Sequence, residues 1–159
     1  MQNITPCLWF DGKAEEAMNF YVSVFKNSKI SSVTRYGDAG PGKKGTVMIG
    51  TFQLDGQEFH ALNGGPEYTF TPAISFVVNC ETQQEVDEHW DKLSEGARSQ
   101  RCGWVQDKYG VSWQIVPSVL RKLLQDKDAG KASRVMKAML KIDELDIELL
   151  QQAYDKEGE

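Results

Sequence analysis

Apolar and polar positions along this chain change their spacing in an order that occurs twice. Ile4 to Phe10 is a short apolar run ended by Asp11-Gly12, which predicts a strand. Ala14, Ala17, Met18, Tyr21, Val24 and Phe25 then recur at helical spacing, predicting an amphipathic helix over about 13–26. Lys29–Tyr36, Thr46–Leu54 and Gln57–Leu62 read as three further strands. The glycine-rich GDAGPGKKG stretch is the loop between the first two. Asp55-Gly56, between the last two, suits a two-residue hairpin turn whose central residues both take positive φ. The first module is β-α-β-β-β.

The same order follows the turn-rich connector NGGPEYTFTP (63–72). Ala73–Asn79 reads as a strand and Glu81–Glu95 as a helix with Val86, Trp90 and Leu93 on one side. Strands are expected at Ala97–Arg101 and Gly103–Gln106, then a DKYG turn and a strand at Val111–Val116. A repeat of about 70 residues accounts for this recurrence. Beyond Pro117, Ser118–Gln125 looks helical, Asp126–Lys131 is a polar break, and Ala132–Tyr154 is strongly helical. A fresh helix start lies within it, where Asp143 can cap and Ile142 can staple to Ile147. The apolar face from Leu145 to Tyr154 must pack on something, either its own sheet or a second copy. The expectation is one α+β domain over 1–159, with modules at 1–64 and 73–117 and a helical extension at 118–159.

Composition narrows the function classes. With 159 residues, 40% of them hydrophobic and 10% aromatic, the chain has ample core material. Its charges are mixed and sum to −5 with no basic stripe, which argues against nucleic acid as a partner. No apolar run approaches the roughly 20 residues a membrane span needs, and no leader is visible at Met1. Cys7, Cys80 and Cys102 are odd in number and form no CxxC pair, so free thiols in a reducing cytoplasm are expected.

The strings TPCLWFDGKAEEAMNFY, ALNGGP and CGWVQDKYGVSWQIVP, set in two βαβββ modules, resemble the PhnB-like branch of the glyoxalase, bleomycin-resistance and extradiol-dioxygenase superfamily. Members of this branch often carry a 3-demethylubiquinone methyltransferase label. The resemblance implies curved mixed sheets around a cavity, often in a homodimer. In the superfamily's enzymes a divalent metal is held by His, Glu or Gln on the first and last strands of each module. By this likeness the four places here fall on Pro6, His60, Ala73 and Gln114. Pro and Ala offer no side-chain donor, so the metal set looks depleted and no cofactor is expected. The methyltransferase label finds no support, since two βαβββ modules leave no room for an open α/β sheet with a glycine-rich first turn.

The expected function is therefore binding or sequestration of a small organic ligand, with a metal-dependent lyase or dioxygenase as the alternative. Strand alternation supplies the candidate lining. If Trp9, Phe59, Phe76 and Trp113 turn toward the helices, then Leu8, Phe10, His60, Leu62, Ser75 and Gln114 turn away from them. Trp104, sharing a face with Cys102 and Gln106, is a candidate aromatic wall. His89 reads as a solvated helix residue, and Cys7 lacks an obvious His partner on a neighbouring element.

Overall fold

A computed structural model describes residues 3–156, in which the chain divides into two compact units, 1–70 and 71–159. The first unit contains β1 (Cys7–Phe10), α1 (Ala14–Val24), β2 (Lys29–Arg35), β3 (Val47–Leu54) and β4 (Gln57–Asn63). Its sheet order is β1-β4-β3-β2, with β1 parallel to β4 and the other pairs antiparallel. The first strand is shorter than expected. Ile4 is 86% exposed, and the Pro6 carbonyl accepts a hydrogen bond from the His60 N–H just before β1 begins.

The β3–β4 turn has the conformation its sequence predicts. Asp55 and Gly56 take φ of 48° and 79°, so the hairpin is tight and its register fixed. Phe52 and Phe59 face each other across it, 5.4 Å between ring centroids, and Phe52 stacks in turn on Tyr21 of α1. Asn63 ties the end of β4 to the helix: its Oδ1 accepts from the Ala14 N–H at 2.9 Å, supplying the start of α1 with an acceptor its own sequence lacks. Arg35 and Glu15 form an exposed ion pair at 2.8 Å, and the guanidinium holds the Glu15 carboxyl below its usual range.

The second unit repeats the plan with β5 (Ser75–Cys80), α2 (Gln83–Leu93), β6 (Ser99–Arg101), β7 (Trp104–Gln106) and β8 (Ser112–Pro117), in the sheet order β5-β8-β7-β6. Ala73 falls two residues ahead of β5. Thr82 caps α2 by accepting from the Glu85 N–H, while the Glu85 carboxylate accepts from the Glu81 N–H. Cys102 and Gly103, expected near strand positions, instead form a second two-residue turn with φ of 53° and 83°. Cys102 is thus not on the face of Trp104 and Gln106. A Cβ at Gly103 would lie 2.8 Å from Leu145, so the turn needs glycine for space as well as conformation.

Three helices follow: α3 (Ser118–Leu124), α4 (Ala129–Met139) and α5 (Ile147–Asp155). The fresh helix start expected within 132–154 is present and separates α4 from α5, while the polar break before α4 is shorter than predicted. Asp128 caps α4 by accepting from the Gly130 and Lys131 N–H groups, and Asp146, not Asp143, caps α5 by accepting from the Leu149 N–H. Leu120, Leu123, Val135, Leu145 and Leu150 form one buried cluster. The apolar face of the terminal helix is thus used within its own unit. Arg134 of α4 donates to the Ala153 and Tyr154 carbonyls and so closes the C-terminal end of α5.

The linker between α4 and α5 is clasped on two sides. Its Ile142 and Asp143 carbonyls accept the Cys102 and Gly103 N–H groups, while Gln83 of α2 donates to the Leu145 carbonyl and accepts from the Ile147 N–H. Within it Glu144 lies against Asp87, its Oε1 shielded from solvent and facing no donor. Burial first, then the Asp87 contact and the charges of Asp87, Asp91 and Asp146, raise the Glu144 carboxyl from 4.5 to about 7. Its proton is donated to Asp87, whose pKa the same bond lowers.

Two measurements test these contacts. Asp107, fully buried at the β7–β8 turn, accepts from the Tyr109 and Val111 N–H groups through Oδ1 and from the Trp113 indole through Oδ2. Asp107→Ala leaves three donors unmet and is expected to cost about 3 kcal/mol or more, with Asp107→Asn milder, as read by thermal melts. Glu144 holds its proton in the folded chain at pH values where the unfolded chain has lost it. Its contribution is therefore full below pH 4.5 and is lost as pH rises through about 7. Allowing for its partial solvent access, the loss is about 1 kcal/mol, or ~2–4 °C in Tm, and Glu144→Gln should abolish that slope because an amide donates at every pH.

Candidate functional site

Each sheet has one face packed on a helix and one turned away from it, and cross-strand register decides which side chain goes where. In the first unit Leu8 pairs with Ala61 and Phe10 with Asn63, all on the α1 side, where Leu8 is 5% and Phe10 3% exposed. Neither lies on the face of His60, contrary to expectation. Trp9, expected in the core, pairs with Leu62 on the α1-distal face. The reason is chemical as well as steric. The indole N–H needs an acceptor and finds the Gly65 carbonyl at 2.8 Å, while its ring meets Tyr68 edge-on at 5.0 Å. Gly64 permits this, since a Cβ there would lie 2.3 Å from the indole.

His60 and Leu62 do lie on the α1-distal face, in two rows across the strands. One runs Cys7–His60–Thr51–Ser32 and the other Trp9–Leu62–Ile49–Thr34. The residue beside His60 on the first strand is thus Cys7, one place from the Pro6 position inferred by likeness. The thiol does have a histidine in register on the neighbouring strand. Partial burial nevertheless raises the Cys7 pKa, which keeps it a protonated, weak nucleophile.

In the second unit the expected alternation holds. Trp113 and Phe76 are a cross-strand pair on the α2 side, ring centroids 5.4 Å apart, and Trp113 is 2% exposed. The α2-distal face carries the row Ser99–Gln106–Ser112–Ser75 and beside it Arg101–Trp104–Gln114–Val77. Gln114 Nε2 donates to Ser75 Oγ at 2.9 Å, so two candidate residues are joined directly. Ser112 is 2% exposed, and its hydroxyl meets no hydrogen-bond partner among the described residues. Val116, farther along this face, packs against the C-terminal helical cluster.

Strand parity puts Ser112 on the face of Gln114, as found, whereas Arg101 was not among the expected residues of this face. The signal for Arg101 was the Cys102-Gly103 dipeptide: read as a two-residue turn, it places Arg101 opposite Trp104. His89 is not a simple surface residue either. Its Nδ1 lies 2.8 Å from the Glu85 carbonyl and 3.8 Å from Cys80 Sγ. Burial pushes the Cys80 thiol up to about 11, reinforced by Glu85 and Glu81, so this Cys–His contact is structural.

Similarity to known proteins matches this architecture. The family profile described as 3-demethylubiquinone-9 3-methyltransferase matches residues 2–116, which is most of the chain and nearly all of both βαβββ modules. The chain belongs to this family. A PhnB protein from Bacillus cereus, given the same methyltransferase name provisionally, is 46% identical; the alignment covers 74% of this chain and 100% of that one, with a TM-score of 0.68. A Pseudomonas aeruginosa protein is 20% identical over 74% of this chain and 98% of its own, TM-score 0.62. The fosfomycin resistance protein FosX from Listeria monocytogenes is 13% identical over 77% and 97%, TM-score 0.53, and shares the fold. No curated protein matches the chain. The match to this PhnB-like family stops within β8, so α3 to α5 lie beyond it.

The divalent metal that the sequence resemblance implies does not suit the donors found here. The α1-distal face sets a protonated thiol beside one imidazole, and the α2-distal face offers an amide and hydroxyls. Among the described residues no three His, Cys, Asp or Glu side chains are grouped so that they could hold a metal ion, and neither face supplies a carboxylate beside His60 or Gln114.

Proposed function

We propose that this protein binds a small organic molecule on the helix-distal faces of its sheets, without metal catalysis. On the α2-distal face Gln114 acts as the polar anchor, with Trp104 and Ser75 supplying further contact; on the α1-distal face His60 is the polar anchor, beside Leu62. The observation that carries this reading is Gln114: Ser75 orients its amide on the α2-distal face, and the Trp104 indole is its cross-strand neighbour there. An oriented amide beside an aromatic plane gives the mixture of apolar surface and few polar groups that small-molecule sites use. Methyl transfer has no counterpart in either unit, since neither sheet is the open parallel sheet with a glycine-rich first turn that such chemistry normally occupies. Among the described residues no group of three His, Cys, Asp or Glu supports the metal-dependent lyase or dioxygenase reading.

Native mass spectrometry of freshly purified protein identifies any copurified ligand, and equilibrium dialysis then compares variants. His60→Ala and Gln114→Ala are expected to bind about 5- to 150-fold more weakly. Their thermal midpoints should move far less than that of Trp113→Ala, which opens a core cavity costing about 3–5 kcal/mol. Normal binding with melting like that of Trp113→Ala would mean that these polar side chains are core residues. Near-stoichiometric transition metal that is lost in His60→Ala would favour the enzyme instead.

The reading extends to a homodimer. With Leu145 and Leu150 committed to their own unit, its support moves to the sheets, where Ile74 and Val77, at the edge strand β5, remain exposed. Light scattering should report twice the chain mass at micromolar concentration; a single-chain mass overturns it.

A further inference from the structure

The α2-distal face carries a charge that the anchors above do not use. Arg101 ends β6, is exposed, and its side chain forms no hydrogen bond or ion pair among the described residues. It stands in one row with Trp104 and Gln114, and no carboxylate occurs in that row or in the row of Ser112. This is unusual in a chain whose net charge is −5. Strands are spaced by about 4.8 Å, so the Arg101 backbone lies roughly 9.5 Å from that of Gln114, with the indole of Trp104 between them. A flat molecule of one ring and one substituent fits that span.

Resting on the small-molecule reading, we infer that the ligand of this face carries an anionic group, a carboxylate or phosphonate, on an aromatic or otherwise flat body. The anion pairs with the Arg101 guanidinium, whose planar fork matches two oxygens at once. The body lies on Trp104, and a hydrogen-bonding substituent reaches the Gln114 amide. The face offers hydroxyl and amide donors but no acidic group to attract a cation, so cationic ligands are disfavoured there.

The test is a nitrogen-15 NMR titration of the full chain with four probes of similar size: benzoate, phenylphosphonate, benzamide and benzylamine. Benzoate and phenylphosphonate should shift the Trp104 indole and the Ser112 and Gln114 amides saturably. Benzamide should bind at least about fivefold more weakly and benzylamine should leave these signals in place. Arg101→Gln, at an exposed site, should weaken benzoate about tenfold, to the level of benzamide, and added salt should weaken the two anions alone. Equal binding of benzamide and benzoate, or benzoate binding unchanged in Arg101→Gln, overturns the anionic ligand while the small-molecule reading stands. Failure of all four probes to reach this face overturns both.

Discussion

Strand register is the constraint on which the rest of this molecule depends. Side chains alternate between the two faces of a sheet, so a slip of one residue would send every anchor to the helix side and every core residue outward. Each module fixes its register with turns that allow little choice. Asp55-Gly56 locks β3 to β4, and Cys102-Gly103 locks β6 to β7, both with two successive positive φ values that match the twist of the strands they join. The β7–β8 turn is longer and has no such dipeptide. There Asp107 does the same work through its carboxylate, gathering two backbone N–H groups and the Trp113 indole at one buried point. Gln114, one residue from that indole, is thereby aimed at the opposite face.

The C-terminal helices extend the same control. The linker between α4 and α5 accepts both N–H groups of the Cys102–Gly103 turn, and Leu145 fills the space that a side chain at Gly103 would need. The hairpin that carries Arg101 and Trp104 is thus held by a segment beyond the family match. The carboxyl pair of Glu144 and Asp87 belongs to this clasp, which makes the clasp proton-sensitive. The extension is more than a cover for the sheet: it fixes one border of the candidate site.

Much of this was legible in the sequence. The βαβββ order, the Asp55-Gly56 turn and the alternation in β8 all follow from local pattern, because Trp113 and Ile115 are large and apolar while Gln114 between them is polar. In β1 local pattern was ambiguous. Leu8, Trp9 and Phe10 are all apolar, and nothing in the run says which of them meets the helix; the larger ring was expected inside. The indole N–H decides otherwise, and its acceptor, Gly65, lies 56 residues away in the chain. Helix capping misled in a similar way. Asp143 and Asp146 both suit an N-cap, and the Gln83 clamp on Leu145 and Ile147 settles the start at the later one. Partners distant in sequence settle each of these choices.

The register also recasts what became of the metal positions. Likeness placed them at Pro6 and Ala73, residues that cannot ligate at all. The observed pairing instead sets Cys7 beside His60, and Ser75 in hydrogen-bond contact with Gln114. The places are therefore filled by polar groups of a different kind. A protonated thiol, an imidazole, a hydroxyl and an amide are poor company for a hard divalent ion. They are well suited to exchanging single hydrogen bonds with an organic molecule. Gln114 illustrates the change: with its Nε2 donating to Ser75, its orientation is set by the protein, and its carbonyl oxygen remains free to accept from a ligand. The Ser75 hydroxyl and the Gln114 amide are neutral. That leaves the charge on the α2-distal face to Arg101, whose sign favours an anion over a metal.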